Sequence, residues 1–192
     1  MKGYLMKNAD FAVSVKIDQT IFKHFALFDT FRHQRRWKAP AIFIGIMSLF
    51  SFIAFSRVGK VEQAALLGVV LLSIGLLLPA VYFANFFLSV HTQIKKLGLK
   101  TPQYVYTLHF SKHSGVKVSS NKEQVSFGWD ELFAAYRTNH CIYLYAAPHR
   151  AYLLPNEQIE NGAEALWSLI ISAMPKLQVH DFRNGRYTPP AP

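Results

Sequence analysis

The sequence predicts an α+β membrane protein, in which a transmembrane helical hairpin carries a cytoplasmic antiparallel β-sandwich or open barrel with a C-terminal helix. Three observations predict it. Two uncharged, mostly apolar runs, residues 39–56 and 64–90, lie only seven residues apart. Lysine and arginine crowd the outer flanks of that pair rather than the link between them. From residue 100 onward the apolar residues alternate in short stretches divided by turn residues, the signature of half-buried strands.

Composition sets the frame. Of 192 residues, 51% are hydrophobic and 17% charged, whereas an ordinary globular domain is about 25% charged. The surplus apolar residues need a solvent other than water. The net charge of +10 suits an anionic neighbour. With Cys141 as the single cysteine, an intramolecular disulfide and a Cys-rich zinc site are both excluded.

Residues 1–38 form an N-terminal strand and amphipathic helix. Phe11, Val13, Val15 and Ile17 alternate with Ala12, Ser14 and Lys16, which predicts a strand with one face buried. Asp18 is placed to cap a helix beginning near Gln19, whose stripe of Ile21, Phe25, Phe28 and Phe31 packs on a domain or lies on a membrane surface. A lone strand leaves its backbone groups unpaired and its apolar face wet. The segment 11–17 is therefore expected to join the sheet formed after Lys100.

The hairpin spans residues 39–90. At about 1.5 Å per residue, the run 39–56 approaches the roughly 30 Å hydrocarbon core, and the run 64–90 spans it with tilt. A secretory signal is disfavoured, because 38 mostly amphipathic residues precede the first run and a second run follows it. A buried hairpin in a soluble protein is disfavoured because the remaining chain is too short and polar to cover both helices. Pro40 sits at the start of the first helix, where its missing N–H costs little. Gly68 and Gly75 permit close helix approach, though not at GxxxG spacing, and Asn85 is expected to face the partner helix or the interface.

Orientation follows from the cations. Lys23, Arg32, Arg35, Arg36 and Lys38 precede the first helix, Lys95, Lys96 and Lys100 follow the second, and the link offers only Arg57 and Lys60. Positive flanks stay cytoplasmic, so both termini are expected there. Arg32, Arg35, Arg36, Trp37, Lys38, Lys95, Lys96 and Lys100 form the expected membrane-interface set, holding anionic headgroups, with Trp37 at the interfacial level.

Residues 100–176 read as the β-domain with its terminal helix. The alternating groups are Tyr106, Leu108 and Phe110; Val116 and Val118; Val125, Phe127 and Trp129; Leu132, Ala134 and Tyr136; Ile142, Leu144 and Ala146; Tyr152 and Leu154. Turn signals at 112–115, 119–122, 138–140 and 147–149 separate them. Pro155 ends the last strand, Asn156 is expected to cap, and 157–174 shows Ile159, Ala163, Leu166, Trp167 and Ile170 at helical spacing. Residues 177–192, which from His180 read HDFRNGRYTPPAP, are expected to be a disordered tail.

Chemistry-bearing patterns are sparse. His109 and His113 are four apart but straddle a strand end and a turn, and His140 and His149 flank a neighbouring hairpin, so solvated loop-end residues are the favoured account. Cys141 follows His140, yet neighbours in a strand point to opposite faces. No Gly-rich phosphate loop, GxSxG elbow or HExxH is present. The expectation is no catalytic site, no metal and no cofactor, and nucleic acid is a poor partner because topology accounts for the positive charge.

Two apolar helices followed by a strand-rich region with a Trp129-Asp130 pair opening a strand, the strand Tyr143-Leu144-Tyr145 and the ending Tyr152 to Ile159 before a last helix resemble the YcxB-like family of small bacterial membrane proteins. The resemblance implies a membrane-tethered, pleckstrin-homology-like domain at the bacterial cytoplasmic membrane, and no activity. The functional expectation is accordingly a membrane-tethered binding or regulatory module that engages a protein or headgroup on its sheet, with oligomers allowed. The alternatives are an accessory subunit of a transporter or channel, or an enzyme with an unrecognised site.

Overall fold

The computed structural model describes residues 11–121, 123–160 and 162–183. The chain divides into two compact units. One joins the chain up to Ile21 with the chain from Thr101 onward, and the other is Phe22–Lys100.

The first unit is built on two four-stranded sheets. Strand β1 (Phe11–Ile17) pairs antiparallel with β2 (Gln103–Ser111), followed by β3 (Gly115–Ser120) and β4 (Gln124–Phe127), in the order β1-β2-β3-β4. Val13 and Val15 point into the core, and Val13 stands opposite Leu108. The expected pairing of the N-terminal segment with the distal sheet is thus present, with an irregularity between Val15 and Lys16. The second sheet takes β5 (Ala134–Arg137), β6 (Cys141–Ala147), β7 (Arg150–Pro155) and β8 (Val179–Asp181) in the order β7-β6-β5-β8.

Hydroxyl and ring contacts tie the sheets together. The Tyr106 hydroxyl donates to the carbonyl of Leu153 at 3.2 Å and accepts from its N–H at 2.7 Å, so one buried side chain satisfies both backbone groups of a β7 residue. Its ring meets Tyr152 edge-on at 5.4 Å. Trp129 stacks beside Phe110 and donates from its indole N–H to the carbonyl of Ser111. Gly115, with φ of +84°, takes a left-handed conformation that a side chain resists. A Cβ there would collide with the carbonyl oxygen of Phe127.

Four expectations need correcting. Trp129 and Asp130 lie in the turn between β4 and β5 rather than opening a strand. Cys141 to Tyr145 are all buried, so β6 is covered on both faces and does not alternate as a half-buried strand would. The last helix, α4 (Ala163–Ala173), begins after Gly162, and Asn156 does not cap it. Instead the Asn156 amide donates to the carbonyls of Thr138 and Asn139, bracing the β5–β6 turn. The tail is ordered further than its composition suggests: 176–178 form a 3₁₀ turn and 179–181 pair parallel with β5. The aromatic residues explain it, because Tyr136 stacks on His180 at 4.8 Å and on Phe182 at 6.0 Å. Residues 184–192 of the expected tail, the first ten residues, and Lys122 of the 119–122 turn lie outside the described residues.

The second unit is helical, and the helix that opens it begins within the first unit, whose N-terminal part ends at Ile21. Helix α1 (Gln19–Leu27) starts where the Asp18 carboxylate accepts from the N–H groups of Thr20 and Ile21 at 2.9 and 2.8 Å, the N-cap arrangement expected of it. A π-helical turn over Phe28–His33 leads to α2 (Lys38–Phe55), and α3 runs from Ala64 to Lys96. The two long helices pack through small residues. Ala64, Gly68, Gly75 and Pro79 are buried on α3, and a Cβ on Gly75 would come within 2.7 Å of the Met47 Cβ. The Ser51 hydroxyl, 2% exposed, donates to the Gly68 carbonyl at 2.8 Å. Asn85, by contrast, is exposed, and Ser51 is the residue that supplies the interhelical hydrogen bond. Only 11% of α2 and 22% of the most apolar window of α3 are buried, far less than a core helix of a soluble protein requires.

Candidate functional site

The expected interface set begins in the π-helical turn. Arg32 lies within it, Arg35 reverses the chain with φ of +52°, Trp37 stands at the N-cap of α2 half-exposed, and Lys38 is the first residue of that helix. Phe31 anchors this turn against α3, its ring 5.8 Å from Phe83 and 5.0 Å from Phe86. Met47 opposite Gly75 and Ser51 bonded to Gly68 set an antiparallel register that brings Lys38 level with residues 81–84. Lys95 and Lys96 close the last turn of α3, roughly 17 Å further along the axis at about 1.5 Å per residue. Lys100 follows the turn at Gly98. The eight residues thus occupy two levels rather than one ring.

The other surface able to hold a partner is the outer face of the first sheet, and the pleat creates it. With Val13, Val15, Leu108, Phe110, Val116 and Val118 turned inward, the intervening side chains turn outward. Register places them in two rows, Ala12, His109, Lys117 and Ser126, then Ser14, Thr107, Ser119 and Gln124. Hydroxyls link across the second row: Ser14 meets Thr107 at 3.2 Å, Tyr104 meets Thr107 at 2.8 Å, and Gln124 donates to Ser119 at 3.3 Å. Lys16 borders the rows on β1. No carboxylate occupies either row, so the face offers hydroxyls, an amide and positive charge.

The edge strand β1 is locked by a residue far away in sequence. The Gln158 side chain accepts from the N–H of Lys16 at 2.7 Å and donates to its carbonyl at 2.8 Å. Gln158 lies in the 3₁₀ turn 156–158 after β7, and reading that stretch as helix hid its role.

Arg137 was equally invisible to pattern. It is 4% exposed, donates to Glu164 at 2.8 Å and places its guanidinium 5.8 Å from the Trp167 ring centroid. Glu164 also accepts from Arg183 at 2.7 Å, and Arg183 pairs with Asp181. The hydrogen bond from Arg137 holds the Glu164 carboxyl below its ordinary range, helped by the charge of Arg183. This chain of charges fastens β5, α4 and the ordered end of the tail to one another. An arginine inside an apolar alternation is the only sequence signal that points to it.

The histidines are dispersed. His109 is on β2, His113 in the turn after it, His140 before β6 and His149 in the β6–β7 turn. Among the described residues no three His, Cys, Asp or Glu side chains are gathered for a metal. Cys141 is 2% exposed and its thiol is pushed up by burial, which makes it a poor nucleophile.

Fold and site define an α+β protein with two helices long and apolar enough to cross a membrane and two sheets, the first of which has a hydroxyl-rich, cationic face. Residues 114–168 match the family model described as YcxB-like protein, the family that Trp129-Asp130, Tyr143 to Tyr145 and Tyr152 to Ile159 resemble. No curated protein and no solved structure matches the chain.

Proposed function

We propose that this chain is a membrane-tethered cytoplasmic binding module. Helices α2 and α3 cross the bacterial cytoplasmic membrane as a hairpin, both termini face the cytoplasm, and the two sheets with α4 make a pleckstrin-homology-like domain that holds an anionic partner surface on the outer face of β1–β4. The observation that carries this reading is the pairing of β1 with β2. Two strands from opposite flanks of the hairpin can share a ladder only if both flanks lie on one side of the bilayer. The cation bias then selects the cytoplasmic side. Lys16, His109 and Lys117 with the surrounding hydroxyls supply the complementary charge and donors for the partner.

The test is photo-crosslinking in native membranes from a reactive residue at Thr107 or Ser119, with a second probe at Gln63 in the α2–α3 link as the control. Capture of one protein from the sheet positions, lost in Lys16→Glu/Lys117→Glu, supports the module. Equal capture from the link probe, or none from the sheet, refutes it.

A further inference from the structure

We propose that the groove between α1 and the distal part of α3 is a binding site for one anionic glycerophospholipid. This rests on the membrane reading above. The groove has a volume of about 570 Å³ and is lined by Leu27, Ala84, Phe86, Phe87, Leu88 and Val90, with Lys23 and His91 as its two nitrogen-bearing side chains. No carboxylate lines it. Its size is that of a small-molecule site, and its walls divide by chemistry in the way a phospholipid does.

Position argues for the same occupant. The uncharged run of α3 ends at Val90, and His91 is the first ionisable residue after it. The register of α2 against α3 sets Lys38 level with residues 81–84, so the stretch 84–91 starts at the cationic collar and rises about 10 Å beyond it. That is the headgroup layer, where a glycerophospholipid turns from acyl chain to phosphate. Phe87 and Leu88 remain 56% and 64% exposed, which water does not tolerate cheaply and an acyl chain covers. Lys23 and Leu27 are four residues apart on α1 and so share one face, presenting a cation and an apolar contact to the groove together. A phosphodiester paired with Lys23 and His91 satisfies the charge, and a headgroup carrying its own cation, such as choline, offsets it.

The experiment uses the full chain purified from membranes in mild detergent and read by native mass spectrometry against phosphatidylglycerol and phosphatidylcholine. One phosphatidylglycerol is expected to be retained in preference to phosphatidylcholine. Lys23→Gln/His91→Gln is expected to reduce that preference about thirtyfold, given roughly 1 kcal/mol per basic group at an anionic surface. Arg57→Gln/Lys60→Gln, in the α2–α3 link outside the groove, is expected to leave it unchanged. Equal retention of the two lipids by the unsubstituted chain, or an equal loss in the Arg57/Lys60 variant, overturns the site while leaving the membrane reading standing. Recovery of the chain from the soluble fraction overturns both.

Discussion

Gln158 and Lys16, 142 residues apart, exchange two hydrogen bonds of 2.7 and 2.8 Å through which a side-chain amide stands in for a neighbouring strand. Those bonds occupy the free edge of β1 at the point where its ladder with β2 is irregular. Gln158→Ala is expected to cost about 1 kcal/mol, since both bonds are partly solvated. Hydrogen exchange at Lys16 and Ile17 should rise, while that at Leu108 and Leu144 should not. Unchanged exchange at Lys16 would show the clamp to be passive.

Removing β1 altogether has a larger effect. Val13 and Val15 are 1% and 0% exposed, so a fragment of residues 100–192 loses part of its core and bares the edge of β2. It is expected to aggregate, and the addition of residues 1–38 through a soluble linker is expected to rescue it. Cooperative unfolding of the short fragment with no gain from the added segment sinks the idea that β1 completes the sheet.

Tyr106→Phe deletes a hydroxyl that satisfies both backbone groups of Leu153. Leaving them buried without a partner is expected to cost about 1–3 kcal/mol. Burial also pushes the Tyr106 phenol up, so in the unsubstituted protein this stability is present below the unfolded tyrosine pKa of about 10 and is lost as pH rises through the higher folded value. The stability advantage of the unsubstituted protein over Tyr106→Phe should therefore shrink as pH rises above about 10, and a difference that stays constant with pH would overturn this reading.

Gly75→Leu tests the hairpin. Even a Cβ there would lie 2.7 Å from that of Met47, so a branched side chain must separate the helices and break the bond from Ser51 to Gly68. Disulfide yield between cysteines placed at 51 and 68, which that bond holds in contact, should fall sharply relative to the Gly75 background. Ser51→Ala alone is expected to cost about 0.6 kcal/mol, the average for such interhelical bonds.

The Arg137–Glu164 pair makes an acid-side prediction. The Glu164 carboxyl is held below its ordinary range by Arg137 first and Arg183 after it, so the associated stability is present above the unfolded carboxylate value of about 4.3 and is lost as pH falls through the lower folded value. Glu164 is 70% exposed, and solvent screens most of its own contribution. Glu164→Gln should flatten the acid limb of thermal stability, whereas Arg137→Met, which removes the buried cation itself, should be tolerated better than Arg137→Ala, which also leaves a cavity beside Trp167.

Much of the fold is legible in the sequence because its signals are local. An uncharged run of membrane length, an alternation of period two and a carboxylate one residue before a helix act within a few residues of one another, so the hairpin, β1 to β7 and the Asp18 cap could be read from order alone. The outer face of the first sheet follows from the same alternation once its register is known, but nothing in residues 103–127 states that register by itself.

The remainder was decided by contacts between distant residues. Val179 to Asp181 looks like part of a proline-bearing tail until Tyr136 offers His180 and Phe182 a surface to stack on. Arg137 looks like a solvated strand residue until Glu164 and Trp167 surround it. The 156–158 turn looks like the start of a helix until Gln158 is drawn to β1 and Asn156 to the β5–β6 turn. In each case the local sequence permits several conformations of similar energy, and a partner brought near only by the closed chain removes the degeneracy. The sequence by itself determined the two long helices, β1 to β7 and the need of β1 for a sheet to join, because backbone sterics and the period of apolar residues act locally. Tertiary structure alone decided β8, the 156–158 turn and the register in which the edges meet, because a backbone donor left free at a strand edge is satisfied only by whatever group the rest of the fold brings to it.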